Sequence, residues 1–438
     1  MDPEFHPVSI QAGEGAWLIA TDGKRYLDGN SSIWTNLHGH RHPKLDAALF
    51  DQLGRIAHSS FLGLTHEPAV RLAAQLVSYA NHPDLSPKLT RVFFSDDGST
   101  AVETGLKMVL QGYAQNGESQ RQDFISPEGA YHGDTLGAMS LGKSETFHHH
   151  YRPLLFPTRR VMAPDCYRCP FNKAKPEAGD ARHYRQCDFE CAALALEEIE
   201  RAGDRLAAWV LEPKVQGAAG MVMHPESYAQ ITASAARKVG AKVLFDEVLT
   251  GCHRSGTALA AHGENVIPDV VALAKGLTAG YLPLAATLAT EEIFDLFQGD
   301  AEKTFFHGHS YTANPLGCSV ALANLHLLTQ PETHEQMKLL FQTLRRVSQR
   351  FWQHPNVGDV RQEGGILAVE IVANRSTRAR FPSKEKRGAR ICRAAQELGL
   401  ITRPIGDVLV LMPPFCTSKE EVDQMAESLF QAIRRELP

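Results

Sequence analysis

Two charged residues close apolar runs in this chain. Asp246 ends Lys242-Val243-Leu244-Phe245, and Lys275 follows Val270-Val271-Ala272-Leu273-Ala274. Runs of this kind read as buried strands, and open α/β sheets bind ligands at the C-terminal ends of their strands. A single Asp or Lys there is ordinarily a turn or surface residue; the matched pair, with Gly276 after the lysine, suits one chemistry. A lysine amine kept neutral by desolvation is a nucleophile that forms a Schiff base with an aldehyde. A carboxylate facing a pyridine nitrogen keeps it protonated, so the ring can absorb a carbanion's electrons. Asp246 and Lys275 together therefore fit a pyridoxal-type cofactor.

A third part lies upstream. Ser95-Asp96-Asp97-Gly98-Ser99-Thr100 follows the strand-like 91–95 and opens a helical pattern through Val102, Leu106, Val109 and Tyr113. Gly98 and Ser99 at a helix N-terminus offer N–H groups, a hydroxyl and the positive dipole end to a phosphate. The same residues serve equally as a tight turn and cap, with Thr100 and Glu103 as a capping box. Tyr131 and His132, in Gly129-Ala130-Tyr131-His132-Gly133-Asp134, offer an aromatic face for a cofactor ring, or plain core packing.

The elements that must position these residues follow from texture. From about residue 45, short apolar runs at 91–95, 209–211, 243–245, 270–273 and 284–288 alternate with helical patterns, the mark of a mostly parallel sheet covered on both faces. A hairpin is predicted over 15–28 around Thr21-Asp22-Gly23-Lys24, and helices over 316–328, 335–352 and 418–436. The organisation expected is a large α/β domain at 45–315 and a smaller α+β domain from 1–44 plus 316–438. With 438 residues, 45 basic against 50 acidic and 43% apolar, the chain can fill a sizeable core and shows no basic stripe for nucleic acid. Charges, Gly or Pro interrupt its longest apolar stretches, so no membrane span is expected. Eight cysteines in this length are no disulfide scaffold, and with no secretory signal a cytoplasmic home is expected. Met1-Asp2-Pro3-Glu4-Phe5 reads like a cloning junction.

In order and spacing, Ser95 to Glu103, Tyr131 to Thr135, Asp246-Glu247-Val248 with Thr250-Gly251, Lys275-Gly276 and His307 to Cys318 resemble the class III, fold-type I, pyridoxal-phosphate aminotransferases over nearly the whole chain. The resemblance implies an α/β fold of type I and a homodimer with active sites at the subunit interface. It also implies pyridoxal 5'-phosphate on Lys275, with Asp246 at the ring nitrogen and Val248 on the ring face opposite Tyr131. Gly98 and Ser99 would bind the phosphate, and Ser310 would reach it from the partner subunit.

Within that class the nearest resemblance is to the branch that aminates 8-amino-7-oxononanoate in biotin biosynthesis. It rests on Asp28 to Trp34 with His38-Gly39-His40, on Tyr131 to Ser140, on Phe306 to Tyr311, and on Thr402 to Asp407 with Leu411 to Pro414. Trp34, Asp134 and Gly308 would line the substrate, and Arg403 would grip its carboxylate; read alone, Arg403 could instead form a structural ion pair. Ala218 and Val410 stand where ornithine and 4-aminobutyrate aminotransferases carry a Glu and an Arg, so glutamate should be a poor donor. S-adenosylmethionine is the default donor, with lysine close behind. Only Phe5-His6-Pro7 echoes the family's opening segment, and Ile33 stands where a tryptophan is often seen.

Other readings stay open. Another class III transaminase, for ω-amino acids or diamines, would share every cofactor residue. A dinucleotide dehydrogenase lacks its Gly-x-Gly-x-x-Gly turn. A non-catalytic binding or scaffold protein would hold no cofactor. Cys166-x₂-Cys169 and Cys187-x₃-Cys191 have spacing for zinc but are often just reduced thiols in such loops; no metal is assigned. His148-His149-His150 reads as a solvated turn, and Cys252, Cys318, Cys392 and Cys416 as core.

Overall fold

The five apolar runs all enter one seven-stranded sheet. In the computed structural model, which describes residues 7–142 and 149–438, its order is Leu89–Ser95, Ala285–Thr290, Val270–Leu273, Lys242–Asp246, Leu206–Leu211, Asp123–Pro127, Arg159–Val161. Ala285–Thr290 is antiparallel to both neighbours; the remaining pairs are parallel. The middle strands are buried on both faces, which explains their unbroken apolar sequence. Val243 and Phe245 face the larger core with Trp209 and Val271, whereas Leu244 faces Val102, Leu106 and Val109 of the helix Gly98–Gln115. Each fully buried side chain of this size contributes roughly 1.5–3 kcal/mol.

The hairpin forms as Trp17–Ala20 and Arg25–Asp28, and the Asp22 side chain accepts the Lys24 N–H at 3.0 Å across the turn. Ile10–Glu14 adds an outer strand that the hairpin reading missed, and Leu400–Ile401 pairs parallel with Arg25–Asp28. A second four-stranded antiparallel sheet holds Val357–Glu363, Ile366–Ile371, Val408–Leu411 and Pro404–Ile405. The three late helices are Pro331–Phe351, starting at a helix-initiating proline ahead of the predicted boundary, Pro315–Leu328 and Lys419–Glu436.

The capping box sits elsewhere than predicted. Asp97 is the N-cap, its carboxylate accepting Thr100 N–H at 3.0 Å while Thr100 Oγ1 accepts Asp97 N–H at 3.2 Å. Glu103 instead accepts Gly137 N–H at 3.2 Å and Ala138 N–H at 3.0 Å, so it caps the helix Leu136–Leu141 across space. The pattern of threonine and glutamate three apart misled because an acceptor one turn earlier satisfies the same donor.

No helix among the described residues is long and apolar enough to cross a membrane. The Met1–Phe5 reading and His148 lie outside the described residues; His149 and His150 sit exposed on a short 3₁₀ turn. Cys252, Cys318 and Cys392 are buried and Cys416 partly so.

Candidate active site

A cavity of about 770 Å³ opens at the C-terminal ends of the sheet strands. Its wall includes Trp34, Gly98, Ser99, Tyr131, Asp134, Asp246, Val248 and Lys275, so residues as far apart as 34 and 275 in sequence meet there. Gly308, Ser310 and Arg403 are not in that wall. Gly308 and Ser310 lie on an exposed segment, and Arg403 is exposed just before the strand Pro404–Ile405. Among the described residues no hydrogen bond or ion pair engages Arg403, so the structural-pair reading has no partner here.

Lys275 follows its strand through a sharp bend, with φ of 44°, into the turn Lys275–Thr278. Burial lowers its amine pKa below the ordinary value, against the opposing charges of Asp246 and Glu212. The amine is thereby biased toward its neutral, nucleophilic form. Its Nζ lies 4.9 Å from the centre of the Trp34 ring.

Asp246 is 4% exposed and anchored on both oxygens. Oδ1 accepts the Val248 N–H at 3.0 Å, and Oδ2 meets His132 Nδ1 at 2.8 Å. His132 therefore turns its ring edge onto the aspartate, a role sharper than the aromatic face expected for it; its buried Nε2 has no partner among the described residues. Glu212, which the sequence reading passed over, accepts Tyr131 N–H at 3.1 Å and Gly217 N–H at 2.9 Å. Burial pushes its carboxyl up to about 7 despite the favourable charge of His132. The signal for Glu212 was present in the motif Glu212-Pro213, just past the buried strand Leu206–Leu211, the same kind of position as Asp246.

Tyr131 donates its hydroxyl to Asp134 Oδ2 at 3.0 Å, and burial raises the phenol to about 12, so it stays protonated as a donor. Ser99 Oγ accepts the Thr135 N–H at 2.8 Å, which locks the two loops together. Gly133, with φ of 118°, is required there: a Cβ would fall 2.4 Å from the Ser99 side chain. Gly98 is required for a second reason, since a Cβ on it would lie 2.6 Å from Val248. The N–H groups of Gly98 and Ser99 have no acceptor among the described residues, because Asp97 is spent on Thr100. Two such donors stand at the start of an 18-residue helix, the arrangement that suits an anion.

The remaining wall is apolar. Ala218, Leu249, Leu282, Pro283 and Leu284 line it, and Trp34 packs on a buried cluster containing Val215, Val410 and Met412. The four loop cysteines, Cys166, Cys169, Cys187 and Cys191, converge on a separate small pocket, where Arg185 donates to Cys187 Sγ at 3.1 Å. All four are free thiols, and among the described residues no three His, Cys, Asp or Glu side chains are gathered to hold a metal.

The "Aminotransferase class-III" family model matches residues 1–433. The chain is 43% identical to the adenosylmethionine-8-amino-7-oxononanoate aminotransferase of Geobacter sulfurreducens, over 98% of this chain and 92% of that one. It is 38% identical to the Methanocaldococcus jannaschii protein of the same name, over 97% and 92%. The crystal structure of that protein superposes with a TM-score of 0.90 at 35% identity, covering 99% of this chain and 94% of the other. An amine transaminase from an uncultivated Pseudomonas species, in its PLP-bound form, superposes with a TM-score of 0.90 at 31% identity, over 99% and 96%.

Proposed function

The chain belongs to the class III aminotransferases, with their fold-type I α/β architecture, and on that premise we propose that it aminates the keto carbon of 8-amino-7-oxononanoate to 7,8-diaminononanoate in biotin biosynthesis. The observation that carries the reading is the whole-chain similarity to aminotransferases of that name, joined to a cavity with a desolvated lysine, a buried acid and an apolar wall.

The residues present fit pyridoxal 5'-phosphate. The unpaired N–H groups of Gly98 and Ser99 suit its phosphate, the Asp246–His132 pair its ring nitrogen, and Val248 and Tyr131 the two ring faces. When bound, the cofactor supplies an electrophilic carbon and an electron-withdrawing ring. Lys275 would take the proton from the amine-bearing carbon of the donor in the first half-reaction and deliver one to the former keto carbon of the acceptor in the second, work for which burial biases its amine toward the neutral form. Asp246, fixed by two hydrogen bonds, keeps a negative charge where positive charge must be held. Trp34, Leu249 and the neighbouring aliphatic side chains exclude water and accommodate a long apolar substrate chain.

The reading includes a cytoplasmic homodimer. Phe50, Leu53, Leu62, Leu64 and Phe306 are exposed large apolar side chains, Leu62 at 91%, and a second copy would cover them. Ser310 and Gly308, exposed and away from their own cavity, would serve the partner's. The reading also takes 45–315 as the cofactor-binding domain and the two ends of the chain as the smaller one.

S-adenosylmethionine is the proposed donor, since Ala218 and Val410 replace the Glu and Arg pair of the glutamate-using enzymes and leave no arginine at that position for the α-carboxylate of glutamate. Single-turnover half-reactions of the purified holoenzyme with S-adenosylmethionine, lysine and glutamate, followed by loss of its visible band, test this. Conversion with S-adenosylmethionine and none with glutamate is the expected result; glutamate as the fastest donor would overturn the reading. A second test concerns Arg403. Its exposed guanidinium, without a partner among the described residues, would take the substrate carboxylate, so Arg403→Ala should raise KM for 8-amino-7-oxononanoate about 10- to 100-fold and leave the donor half-reaction within about twofold. Equal losses in both halves would remove Arg403 from the acceptor site.

A further inference from the structure

Ser31, Ser32, Ile33 and Trp34 hold φ values of 45°, 47°, 66° and 69° in succession. None is glycine, and left-handed backbone costs L-residues about 1–2 kcal/mol each. Such a turn persists only where its surroundings over-determine it. Here they centre on a carboxylate outside the cavity wall. Asp28, 1% exposed, accepts the Ser32 N–H on Oδ1 at 2.9 Å and the Ser32 hydroxyl on Oδ2 at 2.8 Å. Oδ2 also meets His40 Nε2 at 3.0 Å, and the Asn30 N–H reaches Oδ1 at 3.4 Å. Asn30 in turn accepts the Trp34 indole N–H at 2.7 Å and, on its backbone oxygen, the Trp34 amide at 2.8 Å. Ser31 Oγ ties the turn to Met412 O at 2.6 Å. What this network delivers is the Trp34 indole, held 4.9 Å from the Lys275 amine.

We propose that Asp28 is a positioning residue for the substrate channel: it holds the left-handed turn that fixes Trp34 beside Lys275. The inference deepens the proposed function and rests on it for the identity of the substrate. Asp28 touches neither substrate nor cofactor. It acts by supplying one carboxylate to both groups of Ser32, so that relaxation of the turn to right-handed backbone would break both Ser32 bonds and leave the buried carboxylate only His40 and the Asn30 N–H. With Trp34 in place, the wall of the cavity beside the amine is fixed.

A double-mutant cycle on the holoenzyme tests this, with Asp28→Asn, Trp34→Ala and their combination. Asp28→Asn keeps the size of the side chain and removes the charge. It should lower kcat/KM for 8-amino-7-oxononanoate about 10- to 100-fold, chiefly through KM, the size of loss that follows from a displaced positioning group. Added to Trp34→Ala, it should cost less than about twofold more, because its effect runs through the indole. Acrylamide quenching supplies a second readout free of substrate. The Trp34 component of the fluorescence, taken as the difference from Trp34→Ala, should become more quenchable in Asp28→Asn. Additive losses in the cycle, or unchanged quenching of Trp34, would overturn the proposal. If Asp28→Asn does not fold, Ser32→Ala removes a single donor; it should give a smaller loss that also disappears in the Trp34→Ala background, and a loss that persists there counts against Asp28. A wild-type enzyme inactive on 8-amino-7-oxononanoate would refute the proposed substrate alone, since the quenching experiment still decides what holds Trp34.

Discussion

Lys275→Ala is expected to abolish turnover, with kcat lower by on the order of 10⁴-fold or more. Among the described residues Lys275 is the only lysine side chain in the cavity wall, and it lies beside Trp34. Burial lowers its pKa, and the nearby carboxyl groups of Asp246 and Glu212 act in the opposite sense, so the amine is biased toward the neutral form that can accept a proton. The neighbouring groups are committed elsewhere: the Tyr131 phenol, raised to about 12, donates to Asp134, Glu212 accepts the Tyr131 and Gly217 N–H groups, and His132 Nδ1 is engaged by Asp246. The fold should survive, because truncation removes a desolvated amine rather than a packed apolar side chain. Three measurements check this: kcat, the melting temperature, and borohydride trapping followed by peptide mapping. Cofactor label should appear on the peptide containing Lys275 in the wild type and be absent from the variant. Small primary amines added to the variant should restore part of the rate by occupying the vacated space. Retention of a tenth of wild-type turnover without them would remove Lys275 from its role.

Asp246→Asn should lower kcat about 10²- to 10³-fold while changing the melting temperature little. Asparagine keeps the volume and can still accept the Val248 N–H, now given at 3.0 Å to Oδ1. What it loses is the negative charge that faces His132 Nδ1 at 2.8 Å and that a protonated pyridine nitrogen would need. Loss of one preorganised charge at a reacting centre typically costs about 3–4 kcal/mol of barrier. Asp246→Ala is a different experiment. It leaves His132 buried with both ring nitrogens unpartnered and should destabilise the protein by about 3 kcal/mol or more as well. The split between the two variants is therefore diagnostic: Asn separates the charge from the scaffold, and Ala removes both. The ¹⁵N shifts of His132 supply an independent readout, because replacement of the carboxylate by an amide changes which ring nitrogen keeps its proton. A kcat within threefold of wild type in Asp246→Asn would dismiss the charge from catalysis.

The parts of this protein that were legible in its sequence are those set by neighbours along the chain. Alternation and apolar runs marked five strands of the central sheet because strands buried on both faces must be apolar throughout. The position of Asp246 and Lys275 just past such runs was enough to bring both into one cavity, since parallel neighbouring strands end on the same side of a sheet. Gly98 and Ser99 were readable because a helix start leaves donors free wherever it occurs.

What spacing did not reveal depends on side chains that meet across space. His132 reaches Asp246 over 114 positions, and Glu103 caps a helix more than thirty residues away instead of its own. The left-handed turn at Ser31–Trp34 runs against every local preference, and a carboxylate and a distant carbonyl at Met412 hold it. Arg403, bound to the site by resemblance alone, stands outside the cavity wall of a single chain. Periodicity records which face of an element is apolar; it carries no record of which polar group will lie opposite. That pairing is chosen only when burial makes an unsatisfied donor or acceptor costly, and burial is a property of the folded chain.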